Sequence, residues 1–293
     1  MTILGIDENG LGPLMGPLVV TGVVIQGETK NWLPGAKDSK KFFSSSDPGR
    51  LRKLELFCLA LFSSIYGYLP ESPALFLQGI SSEHRCPAEI DLCWSGLNSR
   101  FTRTDRKEIS LFSERIKTWA EKEKVTLKAI HSQILCSARL NEFFRRKQSK
   151  SFVDFCTFAS VIRNLATVET EIIAGKIGGL KKYSSWLRYA FPEARIKILQ
   201  ETPELSAYHL ILAGKEYRLN FWVKVEEKCL AAALASLVGK FVREIFMESI
   251  NNYLGNKFPV SGYRDRQTKS FLDKIRPELA RRKIPLTCLI RQA

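Results

Sequence analysis

An apolar run, Ile3 to Ile6, ends on two adjacent carboxylates, Asp7 and Glu8. Gly10, Gly12, Pro13, Gly16 and Pro17 follow within nine residues. Neighbouring carboxylates repel, even when strand alternation turns them to opposite faces. A divalent cation relieves that repulsion, and hard cations such as Mg²⁺ prefer oxygen ligands. Glycines leave backbone N–H groups uncovered, so a ligand can approach the main chain closely. The pattern therefore points to a metal site beside a backbone-contacting loop. A charged, glycine-rich turn with no chemistry would use the same residue types.

The elements that must position these groups are legible nearby. Leu18 to Val24 is rich in β-branched residues, so Ile3–Ile6 and Leu18–Val24 read as a hairpin with the acids at its tip. Asp47-Pro48, with Ser46 as N-cap, opens a helix running to about Leu69. Residues 70–105 hold three prolines and two glycines, show no clear period, and are consistent with short strands. Further along, 107–123, 139–146 and 151–165 read as helices, and Val125–Cys136 reads as a strand. Thr170–Ala174 is a short strand, followed by a glycine-containing loop and a helix ending near Ala190. Arg195–Leu199, Tyr208–Ala213 and Tyr217–Val225 are strands. Long helices are expected over 227–253 and 267–282, with a closing strand over Leu286–Arg291. Strands first and helices interleaved later suit an α/β fold with a mixed sheet.

Composition narrows the function classes. At 293 residues and 45% hydrophobic content, the chain can bury a sizeable core. Its 45 Lys and Arg against 30 Asp and Glu leave a net charge of +15, which favours a polyanionic partner, nucleic acid or an anionic membrane surface. No apolar run approaches the length of a membrane helix. The N-terminus has no basic region with a cleavage site, and the seven cysteines are odd in number and scattered. A reducing cytoplasm is the expected compartment. Cys86 and Cys93, with His84 nearby, lack the short spacing of a zinc site.

The stretch GIDENGLGPLMGPLVV closely resembles the opening motif of the type 2 ribonucleases H, the ribonuclease HII and HIII family. Lys37-Asp38-Ser39-Lys40-Lys41 resembles that family's Asp-Ser-Lys motif. Lys224-Val225-Glu226-Glu227-Lys228, followed by an alanine-rich stretch from Leu230, resembles its metal-binding acid and the helix after it. Ser261-Gly262-Tyr263 is similar to its Gly-Tyr motif. The resemblance is good over roughly 1–45 and 165–292, and loose between them.

What the resemblance implies is a ribonuclease H-like fold, α/β with a mixed central β-sheet flanked by helices. One domain over 1–293 is expected, with a poorly matching insertion at about 70–105. The implied activity is metal-dependent endonucleolytic cleavage, with Mg²⁺ or Mn²⁺, of the RNA strand of RNA–DNA hybrids or at ribonucleotides embedded in duplex DNA. The products would be a 3′-OH and a 5′-phosphate. Such chemistry needs carboxylates converging on two cations about 4 Å apart. By resemblance Asp7 bridges the metals, Glu8 is the neighbouring acid, and Glu226 ligates from a strand-to-helix junction, with Glu227 the alternative there. Gly10, Leu11 and Gly12 contact the ribonucleotide 2′-OH through backbone groups, although the family has an Arg where Leu11 stands. Lys40 and Lys41 meet backbone phosphates, and Tyr263 stacks at the RNA–DNA junction. A monomer is expected.

One family acid is missing. The run Glu171-Ile-Ile-Ala-Gly175 puts Gly175 where an Asp should end the central strand. Glu171 lies four residues back, roughly 13 Å along an extended strand. Asp265, beside the Gly-Tyr motif, is another candidate acid. A catalytically impaired hybrid-binding protein of the same fold is therefore the rival expectation, and a nuclease indifferent to the 2′-OH is a third. Basic clusters at Arg145-Arg146-Lys147, Lys181-Lys182 and Arg281-Arg282-Lys283 would add sequence-independent, salt-sensitive binding.

Overall fold

The computed structural model describes residues 1–36, 49–82, 86, 92–167, 169–256 and 259–292. The Asp-Ser-Lys segment, with Lys40 and Lys41, lies outside the described residues. So do Ser46 and Asp47-Pro48, where the first helix was expected to begin.

Among the described residues, seven strands form one mixed sheet in the order β3-β2-β1-β4-β7-β6-β5. β1 (Thr2–Asn9) and β2 (Leu18–Gln26) are the expected antiparallel hairpin, with Asp7 opposite Thr21 and Glu8 opposite Val20. β3 (Thr126–Leu135) extends it beyond β2. On the other side β1 pairs in parallel with β4 (Thr170–Gly175), and β4 in parallel with β7 (Lys215–Trp222). β5 (Arg195–Glu201) and β6 (Leu205–Leu212) complete an antiparallel meander with β7. The C-terminal ends of β1, β4 and β7 thus lie side by side, where open α/β sheets bind ligands.

Helices cover both faces. α1 (Arg50–Tyr66), α2 (Pro73–Ile80) and α3 (Arg106–Lys122) precede β3. α4 (Ser137–Arg145), α5 (Lys150–Leu165) and α6 (Ser184–Ala190) come next. α7 (Leu230–Tyr253) and α8 (Arg266–Arg281) follow β7. α7 is buried on all sides from Leu230 to Gly239, the mark of a helix inside the core. α5 packs on the opposite face, where Phe155 and Phe158 meet Leu4 and Ile6 of β1.

The alanine run of α7 has a steric purpose. A Cβ on Gly5 would stand 2.1 Å from the Ala232 backbone nitrogen, so strand and helix touch through main chain and small side chains. Gly5→Ala should therefore force α7 off β1, at a cost of roughly 1–3 kcal/mol or more. A fall of that size in the unfolding free energy measured in urea checks it; an unchanged value contradicts the close approach.

The structure corrects several expectations. Within 70–105 the described residues contain no strand. Phe76, Leu77 and Ile80 share a helix face that packs into the core, Ser72 caps the helix and Pro73 opens it. Trp94 stands edge-on to Phe246 of α7. Buried Glu55 accepts hydrogen bonds from the Arg103 N–H (3.1 Å) and the Thr104 hydroxyl (2.8 Å), tying the end of this segment to α1. The expected closing strand is instead a 3₁₀ turn, Leu286–Cys288, followed by a single bridge between Ile290 and Met15. Its partner is a short loop, too brief to support a ladder. β7 ends at Trp222, before the expected Val225, because Lys224 adopts a left-handed conformation that opens a 3₁₀ turn, Val225–Glu227.

Candidate active site at the ends of the central strands

Alternation along β1 separates the paired acids. Asp7 shares the α7 face with Gly5 and Asn9; its carboxylate takes a hydrogen bond from Ser236, while Asn9 donates to the Ser236 carbonyl at 3.3 Å. Glu8 turns toward the other face and the loop, accepting the Leu11 N–H at 3.0 Å. Both side chains are half-buried, and both resist ionisation. Burial, then the Glu226 charge, raises Asp7 to about 6, against hydrogen bonds and the opposing charge of Lys240. Burial and the Asp7 charge raise Glu8 to about 7.

Glu226 sits half-buried in the 3₁₀ turn between β7 and α7, close enough for its charge to act on Asp7. Glu227 is exposed and lies 3.8 Å from Lys224 Nζ. The turn thus directs Glu226, and not its neighbour, toward Asp7. Gly175 is the next position after the Ile6–Ala174 pair, and a Cβ there would stand 2.9 Å from Asp7 Oδ1. The missing acid would therefore have entered Asp7's own surroundings. Glu171 is opposite Ile3, four residues short of Asp7, and accepts from Asn220 at 3.0 Å. Asp265 is the N-cap of α8, bonded to the Thr268 N–H at 2.7 Å and the Ser261 hydroxyl at 2.8 Å. Those bonds lower its pKa and spend its oxygens on the helix.

Sequence reading missed three buried charges. Asp154 of α5 is fully buried, and among the described residues neither carboxylate oxygen has a hydrogen-bond partner. Burial, then Glu8 and Asp7, pushes it well above the usual carboxylate range. Arg243 and Arg291 lie under the glycine loop, 4% and 5% exposed. The available signal was a lone charge in apolar company, as in Ser151-Phe-Val-Asp154-Phe and Leu289-Ile-Arg291.

The loop between β1 and β2 is held from three directions. The N–H groups of Leu14 and Met15 both donate to the Gly262 carbonyl, at 2.8 and 3.1 Å. Gly262 has φ +79°, and a Cβ would stand 2.8 Å from the Met15 carbonyl oxygen, so the Gly-Tyr motif needs its glycine here. Arg291 donates from its side chain to the Gly10 and Gly16 carbonyls, and its own N–H donates to the Leu14 carbonyl. Leu11 turns inward against a small cluster with Leu18, Leu140 and Val153, while Gly12 is exposed. Tyr263 is 49% exposed, with the Arg243 guanidinium 4.7 Å from its ring centre. Of the basic clusters, Arg281 and Arg282 both pair with Glu278, which offsets part of their charge.

These acids suit a hard divalent cation, which often takes only one or two carboxylates and completes its shell with water and phosphate. Asp7 and Glu226 provide such a pair. Among the described residues, no three His, Cys, Asp or Glu side chains are arranged to hold an ion together.

Fold and site together define an α/β protein whose acids gather where the central strands end, beside a glycine loop. Residues 4–54 match the family model described as Ribonuclease HII. Over 43 residues the chain is 56% identical to ribonuclease HII of Methanothermobacter thermautotrophicus, covering 14% of this chain and 21% of that protein. Over 39 residues it is 54% identical to ribonuclease HII of Rickettsia felis, covering 13% and 19%. The chain thus matches only about a fifth of the length of these relatives. Among solved structures, ribonuclease HII of Archaeoglobus fulgidus in its PCNA complex superposes with TM-score 0.48 and 18% identity, over 100% of this chain and 94% of that one. Bst-RNase HIII in complex with Mn²⁺ gives TM-score 0.49 and 14% identity, over 100% and 66%. Through residues 4–54 the chain is similar to the ribonuclease HII proteins, and that likeness is confined to its N-terminal segment.

Proposed function

We propose that this protein is a metal-dependent endoribonuclease that cleaves the RNA strand of RNA–DNA hybrids or ribonucleotides embedded in duplex DNA. The observation that carries the reading is the meeting of Asp7 and Glu226 at the strand ends, beside the glycine loop and exposed Tyr263. Asp7 and Glu226 would hold Mg²⁺ or Mn²⁺. Bound there, the ion supplies activation of water and stabilisation of the leaving oxygen. Glu8 braces the loop through the Leu11 N–H, leaving Gly10 and Gly12 as the loop positions for the 2′-OH. Tyr263 offers its face to the sugar or base beside the scissile bond. Lys40 and Lys41 contact the phosphates. The excess of basic residues favours the duplex as a whole. The protein is proposed to act as one domain, as a monomer in a reducing cytoplasm, the compartment that suits its odd, scattered cysteines. No helix among the described residues is long and apolar enough to cross a membrane.

The second reading, a hybrid-binding protein without turnover, draws on Gly175 and on the two-acid donor set. One assay separates the two. Wild type with Mg²⁺ or Mn²⁺ should cut a DNA duplex carrying one ribonucleotide and spare the all-DNA duplex. Glu226→Gln should lower the rate by at least about a hundredfold, while Glu227→Gln stays within about twofold, as expected of an exposed pair. Binding without any metal-dependent cut favours the second reading. Equal loss in both variants contradicts the assignment of Glu226.

A further inference from the structure

The two buried arginines are unexplained by the acids alone. Arg291 donates from Nε and Nη2 to the Gly16 carbonyl at 2.9 and 2.6 Å, and from Nη1 to the Gly10 carbonyl, with a longer contact to the Leu11 carbonyl at 3.4 Å. Its fork therefore gathers carbonyls from both ends of the loop. Arg243 donates from Nη2 to the Ser261 carbonyl at 2.9 Å and reaches the Met15 carbonyl at 3.4 Å. Its buried Nε has no hydrogen-bond partner among the described residues. Neither arginine has a salt bridge among the described residues, although Glu8 lies near enough for its charge to act on both. Burial, then repulsion from Arg243, lowers Arg291 to about 9.

Burying two like charges is costly, and a loop needing only carbonyl partners could be served by neutral donors. What neutral donors lack is potential. Glu8 acts on both guanidinium groups and Glu244 on Arg243, while Lys150 lies near enough to Arg291 to repel it. Three cations thus face two carboxylates and the balance behind the loop is positive, in surroundings of low dielectric where screening is weak. With carbonyls drawn onto Arg291 and the Leu11, Leu14 and Met15 N–H groups bonded within the protein, exposed Gly12 is the loop position where main-chain N–H can meet an anion. Leu11, turned into the apolar cluster, contributes no charge of its own.

We propose that Arg291 and Arg243 are positioning residues for a backbone phosphate of the nucleic acid: together they set the glycine loop and supply the positive potential that holds the phosphate against its outer face. This rests on the proposed function, since it takes the nucleic acid to be the substrate.

The test is the salt dependence of binding to a duplex with one ribonucleotide, in the Asp7→Asn background so that the substrate stays intact. Arg291→Met should weaken binding roughly tenfold at low salt and lower the slope of log affinity against log salt by about one. Arg291→Lys keeps the charge and should keep the slope, while the amide protons of Gly10, Leu11, Gly12, Leu14, Met15 and Gly16 exchange faster because the fork is lost. Arg115→Met, an exposed change on α3, controls for net charge and should leave both unchanged. If Arg291→Met does not fold, Arg243→Gln carries the same expectation for the slope. An unchanged slope in the folded Met or Gln variant, or a Lys variant that behaves like Met, assigns these arginines to loop structure alone and overturns the inference. Parent protein that fails to bind the duplex, together with a wild type that fails to cut it, overturns the proposed function and this inference with it. A wild type that cuts, paired with an unchanged slope, overturns only the inference.

Discussion

Replacing Asp7 with Asn should abolish metal-dependent cleavage and, in metal-free protein, raise stability at neutral pH. The two effects share one cause. The carboxyl is raised to about 6 by burial first and then by Glu226. A carboxyl whose folded-state pKa exceeds its unfolded value holds its proton more tightly in the native state. The protein therefore carries no penalty below about pH 4, loses stability as the pH rises toward 6, and loses no more above that. Two pKa units set a ceiling of about 3 kcal/mol, and solvent around a half-buried side chain reduces it to roughly 1–2. Glu8, raised to about 7, extends the same fall by another unit.

The amide introduced by Asp7→Asn would remain neutral throughout, so the variant's melting profile in EDTA should be flatter between pH 4.5 and 7.5 and higher at the upper end. Divalent cation should stabilise the wild type at pH 7.5 and have little effect on the variant. Cleavage should fall by about a thousandfold or more, since the residue proposed to share the ion with Glu226 is gone. Full cleavage by Asp7→Asn, or a wild-type melt indifferent to both pH and metal, would falsify the assignment of Asp7.

Gly175→Asp is expected to act in the opposite sense. The new Cβ would meet Asp7 Oδ1 at 2.9 Å and Val225 Cγ1 at 3.5 Å. The nearer contact is the end of a side chain, so Asp7 can swing away without moving the sheet. The added carboxylate still joins Asp7 and Glu226 in one confined space. In EDTA near neutral pH, the variant should lose roughly 1–3 kcal/mol through like-charge repulsion and desolvation. A divalent cation should more than restore that loss, because a third oxygen donor lets one ion serve the whole group. The measurable result is a metal-induced rise in melting temperature larger than the wild type's, with apparent metal affinity at least about tenfold tighter. If turnover rises in parallel, the wild-type site is limited by its missing acid. A silent wild type beside an active variant marks a binding protein one residue away from a nuclease. Loss of stability with no gain in metal response contradicts the placement of Gly175 at the site.

Stability and function pull against each other here. Burial raises Asp7, Glu8 and Asp154, with Glu226 adding to Asp7, Asp7 to Glu8, and both Glu8 and Asp7 to Asp154, and the arginines under the loop repel each other. A chain built for stability alone would neutralise such groups, and their presence together is what a site built for external charge looks like.

Much of this was legible along the chain because its signals are local. The paired acids had to fall at a strand end, since the apolar run stops at Ile6 and glycines follow. The hairpin, helices α3, α5, α7 and α8, and the meander from β5 to β7 were readable from hydrophobic period and turn residues, usually to within a few residues. The pairing of β1 with β4, four residues out of step for Glu171, matched the spacing deduced from the run to Gly175.

What only the tertiary structure decided concerns residues distant in sequence. Glu226 was separated from Glu227 by the left-handed Lys224, a backbone turn that side-chain types do not announce. Asp265 looked like a spare ligand until its oxygens were seen to cap α8. Residues 70–105 lacked a readable period because Phe76 packs against Phe62 of α1 and Phe241 of α7, partners supplied by other helices. Arg291 stands 275 residues from the Gly16 carbonyl it holds, and Asp154 reaches the acids of β1 across the packing of α5 on the sheet. Local sequence specifies the elements; register and close packing decide which charges meet, because both depend on surfaces that exist only once the chain has folded.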